Sequence, residues 1–392
     1  MKILQVIPFF SPRFGGSVSV LYNLSKELVK RNHEVTIITT DFGLDRQYAN
    51  SMRANGVIVI PLRCIANIDF FLYTPPLKYW LKNNLKEYDI IHLHNFRSYQ
   101  NVMVHKYATK CGIPIIMQAH GSVLPFFEKR IQKKLYDYIW GSKILTDSSK
   151  CLAVSKVERD QYLTMGSPEN KIEIIPNGIN VEDYEILPER GNFRKKYGIA
   201  SDEKIILYLG RLHKSKGIDF LINSFFSLLD QYPNAKFVIA GPDEGFLDVL
   251  MNQIKKLKIN EKILVTGHLY KNEKIEAFVD ADVLIYPGRI EIFGLVPFEA
   301  IMCGTPVIVA DGCGCGEVIR EAQCGYLVHY GDIYGLNKTI LKVIENPEST
   351  KKMVDSGKLY IQENLAWDDV VKQVERLYEN LRNSIDYSCY SS

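Results

Sequence analysis

The chain has 392 residues, 46% hydrophobic and 24% charged, an ordinary globular composition whose length suits two or three domains. No window reaches 18 apolar residues, so no transmembrane helix is expected, and Met1-Lys-Ile-Leu-Gln-Val-Ile-Pro8 reads as a first buried strand rather than a signal peptide, which implies the cytoplasm. The formal net charge of +3 conceals an asymmetry: residues 1–150 carry 20 Lys and Arg against 10 Asp and Glu, a net of +10, and residues 151–392 carry 28 against 35, a net of −7.

In chain order, the apolar run Ile3–Ile7 predicts a strand and Ser17–Lys30 a helix. Val35–Thr39, Val57–Pro61, Ile90–Leu93 and Ile113–Gln118 then read as strands. The turn signal in Ile174-Ile-Pro-Asn-Gly-Ile179 marks the boundary between the halves. Beyond it the alternation repeats, with strands at Ile205–Gly210, Lys236–Gly241, Ile263–Gly267, Val283–Tyr286 and Val307–Ala310, and a last helical stretch from Trp367 to Ile385. Such alternation predicts parallel βαβ units. There is no repeat of solenoid period and no low-complexity tract. The eight cysteines are scattered and are expected as reduced thiols. Cys313 and Cys315 lack a second ligand pair at zinc spacing. Asp280-Ala-Asp282 falls between a helix and a strand, which suits a structural role.

The segment Glu291-Ile-Phe-Gly-Leu-Val-Pro-Phe-Glu299 is the most informative. A strand runs into Pro287 and the turn Gly288-Arg289, and a helix begins near Gly294 or Leu295 and stops at Gly304. That puts Glu291 in the loop before the helix and Glu299 just past its first turn. Between them lie backbone N–H groups at a helix N-terminus, an anion site flanked by two carboxylates. A nucleotide-diphosphate sugar would suit it. Earlier, Gly210-Arg-Leu-His-Lys-Ser-Lys-Gly217 follows a strand and opens a helix, so Arg211 and Lys216 fall where open parallel sheets bind ligands. Fixed cations there can stabilise a departing diphosphate without a metal.

The segment from Glu291 to Glu299 resembles the Glu-x7-Glu signature of retaining glycosyltransferases of family 4, and Gly304-Thr-Pro-Val-Ile-Val309 is similar to that family as well. The resemblance implies an α/β chain of GT-B architecture, two Rossmann-like doubly wound parallel-sheet domains facing across a cleft. Residues 1–178 would bind acceptor and residues 179–366 the nucleotide-sugar donor, with the helix in 367–392 packing back on the first domain. By the same resemblance Arg211 and Lys216 bind the diphosphate, Glu299 the ribose hydroxyls and Glu291 the donor sugar. Phe293, Gly294, Leu295 and Val296 would offer backbone N–H groups to the phosphates, and Leu269 would contact the base. Gly15 and Gly16, in Phe14-Gly-Gly-Ser17, correspond to the family's glycine loop facing the donor. His120, in Gln118-Ala-His-Gly-Ser122, corresponds to its active-site histidine, which hydrogen-bonds the transferred sugar. His92 and His94 alternate at a strand end and resemble a structural stretch of the family. The chain departs from the family at Ile292, where glycine is usual, which alters the local shape of the sugar pocket.

The helical wheel of 124–140 sets Phe127, Ile131, Leu135, Tyr138 and Ile139 opposite Lys129, Arg130, Lys133 and Lys134. This describes either a helix packed on its own domain or one lying on an anionic membrane surface. Phe70-Phe-Leu-Tyr73 and Tyr79-Trp80 supply aromatics for an acceptor groove or for the core. The expected activity is retaining, metal-independent and cofactor-free transfer of a sugar from a nucleotide-diphosphate sugar, UDP- rather than GDP-linked, to a glycan or lipid-linked acceptor in surface polysaccharide or glycolipid assembly. The expected place is cytoplasmic, peripheral at the inner face of the membrane, with no nucleic-acid partner. The rival readings are a nucleotide-sugar epimerase of the same fold and a catalytically silent nucleotide-sugar-binding membrane partner.

Overall fold

The computed structural model describes residues 1–68, 71–125 and 129–384. The chain divides into two compact units, Met1–Gly178 with the segment from Trp367 onward, and Ile179–Ala366.

In the first unit the strands are β1 (Lys2–Val6), β2 (Glu34–Thr40), β3 (Ile58–Leu62), β4 (Ala66–Ile68), β5 (Phe71–Tyr73), β6 (Ile90–His94), β7 (Ile115–Gln118), β8 (Lys150–Ala153) and β9 (Ile172–Ile174). β4 and β5 form an antiparallel hairpin. The other seven make one parallel sheet in the order β3-β2-β1-β6-β7-β8-β9. Its strands are near-continuous apolar runs because both faces are covered. Side chains alternate faces along a strand. Ile3 of β1 accordingly joins a core with the helix Gly16–Lys30, whereas Leu4 and Val6 join a core with the helices Pro76–Asn84 and Tyr99–Cys111. Each such apolar side chain, fully buried, contributes about 1.5–3 kcal/mol.

The helix Trp367–Asn383 closes this unit. It buries Trp367, Val370, Val371, Val374, Leu377 and Tyr378, an i, i+3, i+4 stripe facing the helix Gly16–Lys30. Trp367 lies against Gly178, where an added Cβ would stand 2.3 Å from the indole. Glu375 binds both Arg31, at 3.3 Å, and His33, at 2.7 Å. Ile385, at the end of the anticipated stretch, lies outside the described residues.

The second unit holds β10 (Lys204–Leu209), β11 (Ala235–Ala240), β12 (Ile263–Gly267), β13 (Val283–Tyr286), β14 (Val307–Ala310) and β15 (Tyr326–Val328), parallel in the order β12-β11-β10-β13-β14-β15. As in the first unit, the first strand sits inside the sheet and the order reverses beside it. That reversal opens a crevice beyond the C-terminal strand ends, between β10 and β13. Gly241 makes the close approach behind it: its φ is +145°, and an added Cβ would fall 1.8 Å from the Gly210 carbonyl oxygen.

Five strands were not anticipated from the sequence. β4, β5, β9 and β15 have only three residues each, and β8 opens on Lys150, so none carries a readable period. β7 starts at Ile115 rather than Ile113, since Pro114 has no N–H for the ladder.

The segment 129–147 packs on its own unit, but through other residues than the helical wheel selects. It forms the helix Arg130–Tyr136, a π-turn at Asp137–Gly141 and the helix Ser142–Asp147. Tyr136, Asp137, Ile144 and Leu145 face inward, and Arg97 grips Asp137 at 2.8 and 2.6 Å. The anticipated apolar stripe points outward instead: Ile131 is 82% exposed, Leu135 58%, Tyr138 88% and Ile139 47%. Phe127 lies outside the described residues. So does Phe70; its neighbour Phe71 stacks near Trp140 and meets Tyr99 edge-on, while Tyr79 is exposed.

Candidate functional site

In the second unit the loops leaving β10 and β13 bring Lys216 and Glu291 together. Lys216 ends a short 3-10 turn capped by His213, and Gly217 follows at a φ of 70° as the cap of the helix Ile218–Leu228. The ammonium group of Lys216 pairs with Glu291 Oε1, and both residues are buried. The Glu291 carbonyl accepts from Gly314 N at 2.7 Å, which ties the loop to the start of the helix Gly314–Ala322. Tyr286 and Tyr208 lie close by. Burial first, and then the Glu291 charge, raise both phenols well above their ordinary range. They therefore act as neutral groups at physiological pH.

Gly294 caps the helix Leu295–Met302 with a φ of 69°, where an added Cβ would meet Tyr286 at 2.9 Å. Phe293 is buried with its ring 5.2 Å from Phe298. Among the described residues the backbone N–H groups of Phe293, Gly294, Leu295 and Val296 have no hydrogen-bond partner. They are the orphan donors of a helix start, and favour an anion. One turn on, Glu299 accepts from Lys274 at 2.9 Å. The buried Tyr184 hydroxyl is also pushed up, by burial first and then by Glu299.

Arg211 is placed differently from Lys216. It is exposed, and its guanidinium meets both oxygens of Glu244, at 3.0 and 2.7 Å. Glu244 belongs to the loop Gly241–Gly245, whose Asp243 accepts from the N–H groups of Gly245, Phe246 and Leu247 and so starts the helix Leu247–Leu257. Leu269 follows β12 with its side chain buried. Asp280 and Asp282 are fully engaged in structure: Asp280 accepts from Arg194 N at 2.9 Å, and Asp282 from Ile205 N at 2.9 Å and from Arg194 and Arg190 at 3.0 Å.

In the first unit Gly15 caps the helix Gly16–Lys30 with a φ of 87°, and a Cβ on Gly15 or Gly16 would meet nothing within 4 Å. His120 follows β7 in the left-handed region, at a φ of 52°, with Gly121 at 81°. A helix behind it holds this turn. Tyr162 OH accepts from Ala119 N at 2.8 Å and donates to Met117 O at 3.1 Å, and Glu158 accepts from Gly121 N at 2.6 Å and Val154 N at 2.9 Å. Burial raises the Glu158 carboxyl to about 7. The ring of His120 meets His94 at 2.8 Å, and His94 meets Gln5 at 2.6 Å. Tyr378 of the closing helix bonds His92 at 2.6 Å. Burial lowers all three imidazoles, His92 and His120 to about 3, and charge repulsion among them adds to the effect on His92 and His94. They are neutral at physiological pH. No group of three His, Cys, Asp or Glu among the described residues has metal-site geometry.

Sequence reasoning missed Tyr184, Glu244, Lys274 and Tyr286 in the second unit, and Gln5, Glu158, Tyr162 and Tyr378 in the first. Only Glu158 left a usable signal, the capping-box spacing Ser155-Lys-Val-Glu158, and here the carboxylate reaches beyond its own helix to the Gly121 turn.

Two family models match the chain, one described as Glycosyltransferase Family 4 over residues 14–183 and one as Glycosyl transferases group 1 over residues 189–360. An uncharacterised glycosyltransferase of Methanocaldococcus jannaschii is 28% identical over 97% of this chain and 98% of its own length. N-acetyl-alpha-D-glucosaminyl L-malate synthase of Bacillus anthracis is 25% identical over 94% of both. The GDP-mannose-dependent alpha-(1-6)-phosphatidylinositol monomannoside mannosyltransferase of Mycolicibacterium smegmatis is 24% identical over 93% of this chain and 95% of its own. Among solved structures, Anabaena HepE in complex with UDP and glucose superposes with a TM-score of 0.80 at 17% identity, covering 97% of this chain and all (100%) of that one. Two family models that take up one unit each, together with a fold shared over nearly the whole length, make this chain a member of glycosyltransferase family 4 with the GT-B fold.

Proposed function

We propose that the protein is a retaining, metal-independent glycosyltransferase that moves a sugar from a nucleotide diphosphate, UDP in preference to GDP, onto a glycan or lipid-linked acceptor. The observation that carries this reading is the buried Lys216–Glu291 pair beside the four unpartnered N–H groups of Phe293–Val296, at the reversal of strand order. Lys216 and the N–H groups receive the diphosphate, and Arg211 joins them on leaving Glu244. Glu291, released from Lys216, accepts from hydroxyls of the sugar, and Glu299 accepts from the ribose. Leu269 borders the base. Charge develops on the diphosphate as the sugar bond breaks, and fixed cations and dipoles there stabilise the transition state more than the ground state. Departure and attack occur on the same face, and the leaving phosphate takes the acceptor proton.

From the first unit, Gly15 and Gly16 are assigned to the donor, since nothing internal fills the space where their side chains would be. His120 is assigned to a hydroxyl of the transferred sugar. The names of relatives support the substrate classes: one acts on a phosphatidylinositol mannoside, and HepE binds UDP and glucose. A membrane-bound acceptor agrees with the exposed Ile131, Leu135, Tyr138 and Ile139 next to Lys129, Arg130, Lys133 and Lys134. Each cation near an anionic surface contributes roughly 1 kcal/mol. No helix among the described residues is long and apolar enough to cross a membrane, so attachment would be peripheral, at the inner face.

Thermal shift with UDP-, GDP- and ADP-sugars, with and without EDTA, tests the donor side. A rise in melting temperature with UDP-sugars that EDTA leaves unchanged is expected, and no shift with any nucleotide sinks the reading. Flotation with anionic and neutral vesicles tests the membrane side, where failure to bind anionic vesicles rejects it.

A further inference from the structure

The imidazoles at the ends of β6 and β7 form a hydrogen-bonded chain whose direction can be deduced. Gln5 Oε1 is an acceptor only. It stands 2.6 Å from His94 Nε2, short for a contact between two nitrogens and normal for a strong N–H···O bond. His94 therefore carries its proton on Nε2. Buried and neutral, it has a lone pair on Nδ1, and that atom lies 2.8 Å from His120 Nε2. The donor in this second bond must be His120. With its one proton on Nε2, His120 is left with a lone pair on Nδ1, which has no hydrogen-bond partner among the described residues.

The other arm agrees. Gln5 Nε2 donates to Tyr378 OH at 3.4 Å, so the phenol hydrogen is free to go to His92 Nδ1, 2.6 Å away. His92 then has its proton on Nε2. His92 Nε2, a donor in this state, and Gln118 Oε1, an acceptor, are both buried and have no hydrogen-bond partner among the described residues. All the bonds thus run in one direction, from His120 through His94 and the Gln5 carboxamide to Tyr378 and His92.

We propose that Gln5 and His94 are positioning residues that hold His120 as its Nε2–H tautomer, so that Nδ1 accepts a hydrogen bond from a hydroxyl of the transferred sugar. The proposal rests on the assignment of His120 to the sugar and specifies what that contact reads. A donor sugar is recognised there by an O–H it can give. A deoxyfluoro sugar, whose fluorine gives no hydrogen, is therefore handled as poorly as the deoxy sugar. Turning the Gln5 carboxamide over would reverse every bond in the chain and put the His120 proton on Nδ1.

Long-range nitrogen–proton spectra of the full chain labelled with ¹⁵N distinguish the two directions at neutral pH without any substrate, the His120 signals being assigned by their loss in His120→Ala. A pyrrole-like Nε2 and pyridine-like Nδ1 are expected, and a pyrrole-like Nδ1 overturns the proposal. In Gln5→Leu the tautomer should become mixed and kcat fall about tenfold, the worth of one hydrogen bond, with the KM for donor little changed. Gln5→Glu, which keeps the acceptor, should restore the single tautomer. An unchanged tautomer in Gln5→Leu overturns the positioning role, and should that variant not fold, the wild-type spectrum alone decides the direction. Full turnover by His120→Ala overturns the sugar contact itself, whatever the spectrum shows.

Discussion

Both units put their first strand inside a parallel sheet, β1 between β2 and β6 and β10 between β11 and β13. The groups gathered at those strand ends are opposite in kind. In the second unit they are ions: Lys216 with Glu291, Arg211 with Glu244, Lys274 with Glu299. In the first they are neutral donors and acceptors: Gln5, His92, His94, His120 and Tyr378. The topology supplies a crevice in each case, and the side chains decide what it can hold. Ions paired with each other before substrate arrives can exchange partners for a charged ligand. Neutral imidazoles locked by a carboxamide cannot trade charge, but they can present one lone pair in one direction. Under the proposed function this contrast is a division of labour, in which the second unit would handle the charge of the diphosphate and the first would read hydroxyls.

The most damaging test of that division is Lys216→Ala. Losing a group that stabilises developing charge costs about 10²–10³-fold in turnover, and steady-state rates beside circular dichroism should show that loss with the fold retained. Near-normal turnover would remove the charged role from the second unit. Glu299→Gln is expected to weaken nucleotide binding about tenfold, as one charged hydrogen bond does, read by calorimetry with UDP alone. An unchanged affinity would detach Glu299 from the ribose.

The neutral side is probed by acid. His92 and His120 titrate near 3 in the folded chain against an ordinary 6.5, so the unfolded chain binds more protons between those values. Stability should therefore fall as pH drops below 6.5, by up to about 1.4 kcal/mol per pH unit for each imidazole. Glu158 acts in the opposite sense. Its carboxyl is raised from 4.5 to about 7, so the stability it contributes is present below pH 4.5 and lost as pH rises toward 7. Urea melts from pH 7 to 5 should show acid destabilisation that steepens in Glu158→Gln. A flat profile in both would mean that the imidazoles are not held neutral. The smallest effect is expected at the surface. Glu244→Ala frees the Arg211 guanidinium and should tighten UDP binding only severalfold, since exposed pairs are worth about 0.2–1 kcal/mol, whereas Arg211→Ala should weaken it. Opposite signs for the two variants in titration calorimetry would make the Arg211–Glu244 pair a resting contact.

How much could be read in advance differs between the units for a physical reason. In the second, Arg211, Lys216 and Glu291 lie in the loops that follow strand ends and Glu299 in the helix that follows Glu291, so all four are visible as a linear pattern. Their partners Glu244 and Lys274 come from other loops and helices, and a lone surface-type residue on a helix leaves no mark. In the first unit His120 was legible from its place after a strand. Gln5, 115 positions earlier, and Tyr378, 258 positions later, were not, because sequence distance says nothing about which strands become neighbours. The segment 129–147 shows the same limit in another form. Its wheel assumes one regular helix, whereas the π-turn at Asp137–Gly141 interrupts it, Arg97 grips Asp137, and the stripe the wheel selects is exposed.

The sequence by itself determined the α/β class, the central strands, the boundary near Gly178 and the glutamate motif, because each is written in short-range period, turn chemistry and spacing. Only the tertiary structure decided which cation meets which carboxylate and the direction of the imidazole chain. Those depend on the parallel pairing of β1 with β6 and of β10 with β13, contacts that the packing of whole sheets creates between residues far apart in the chain.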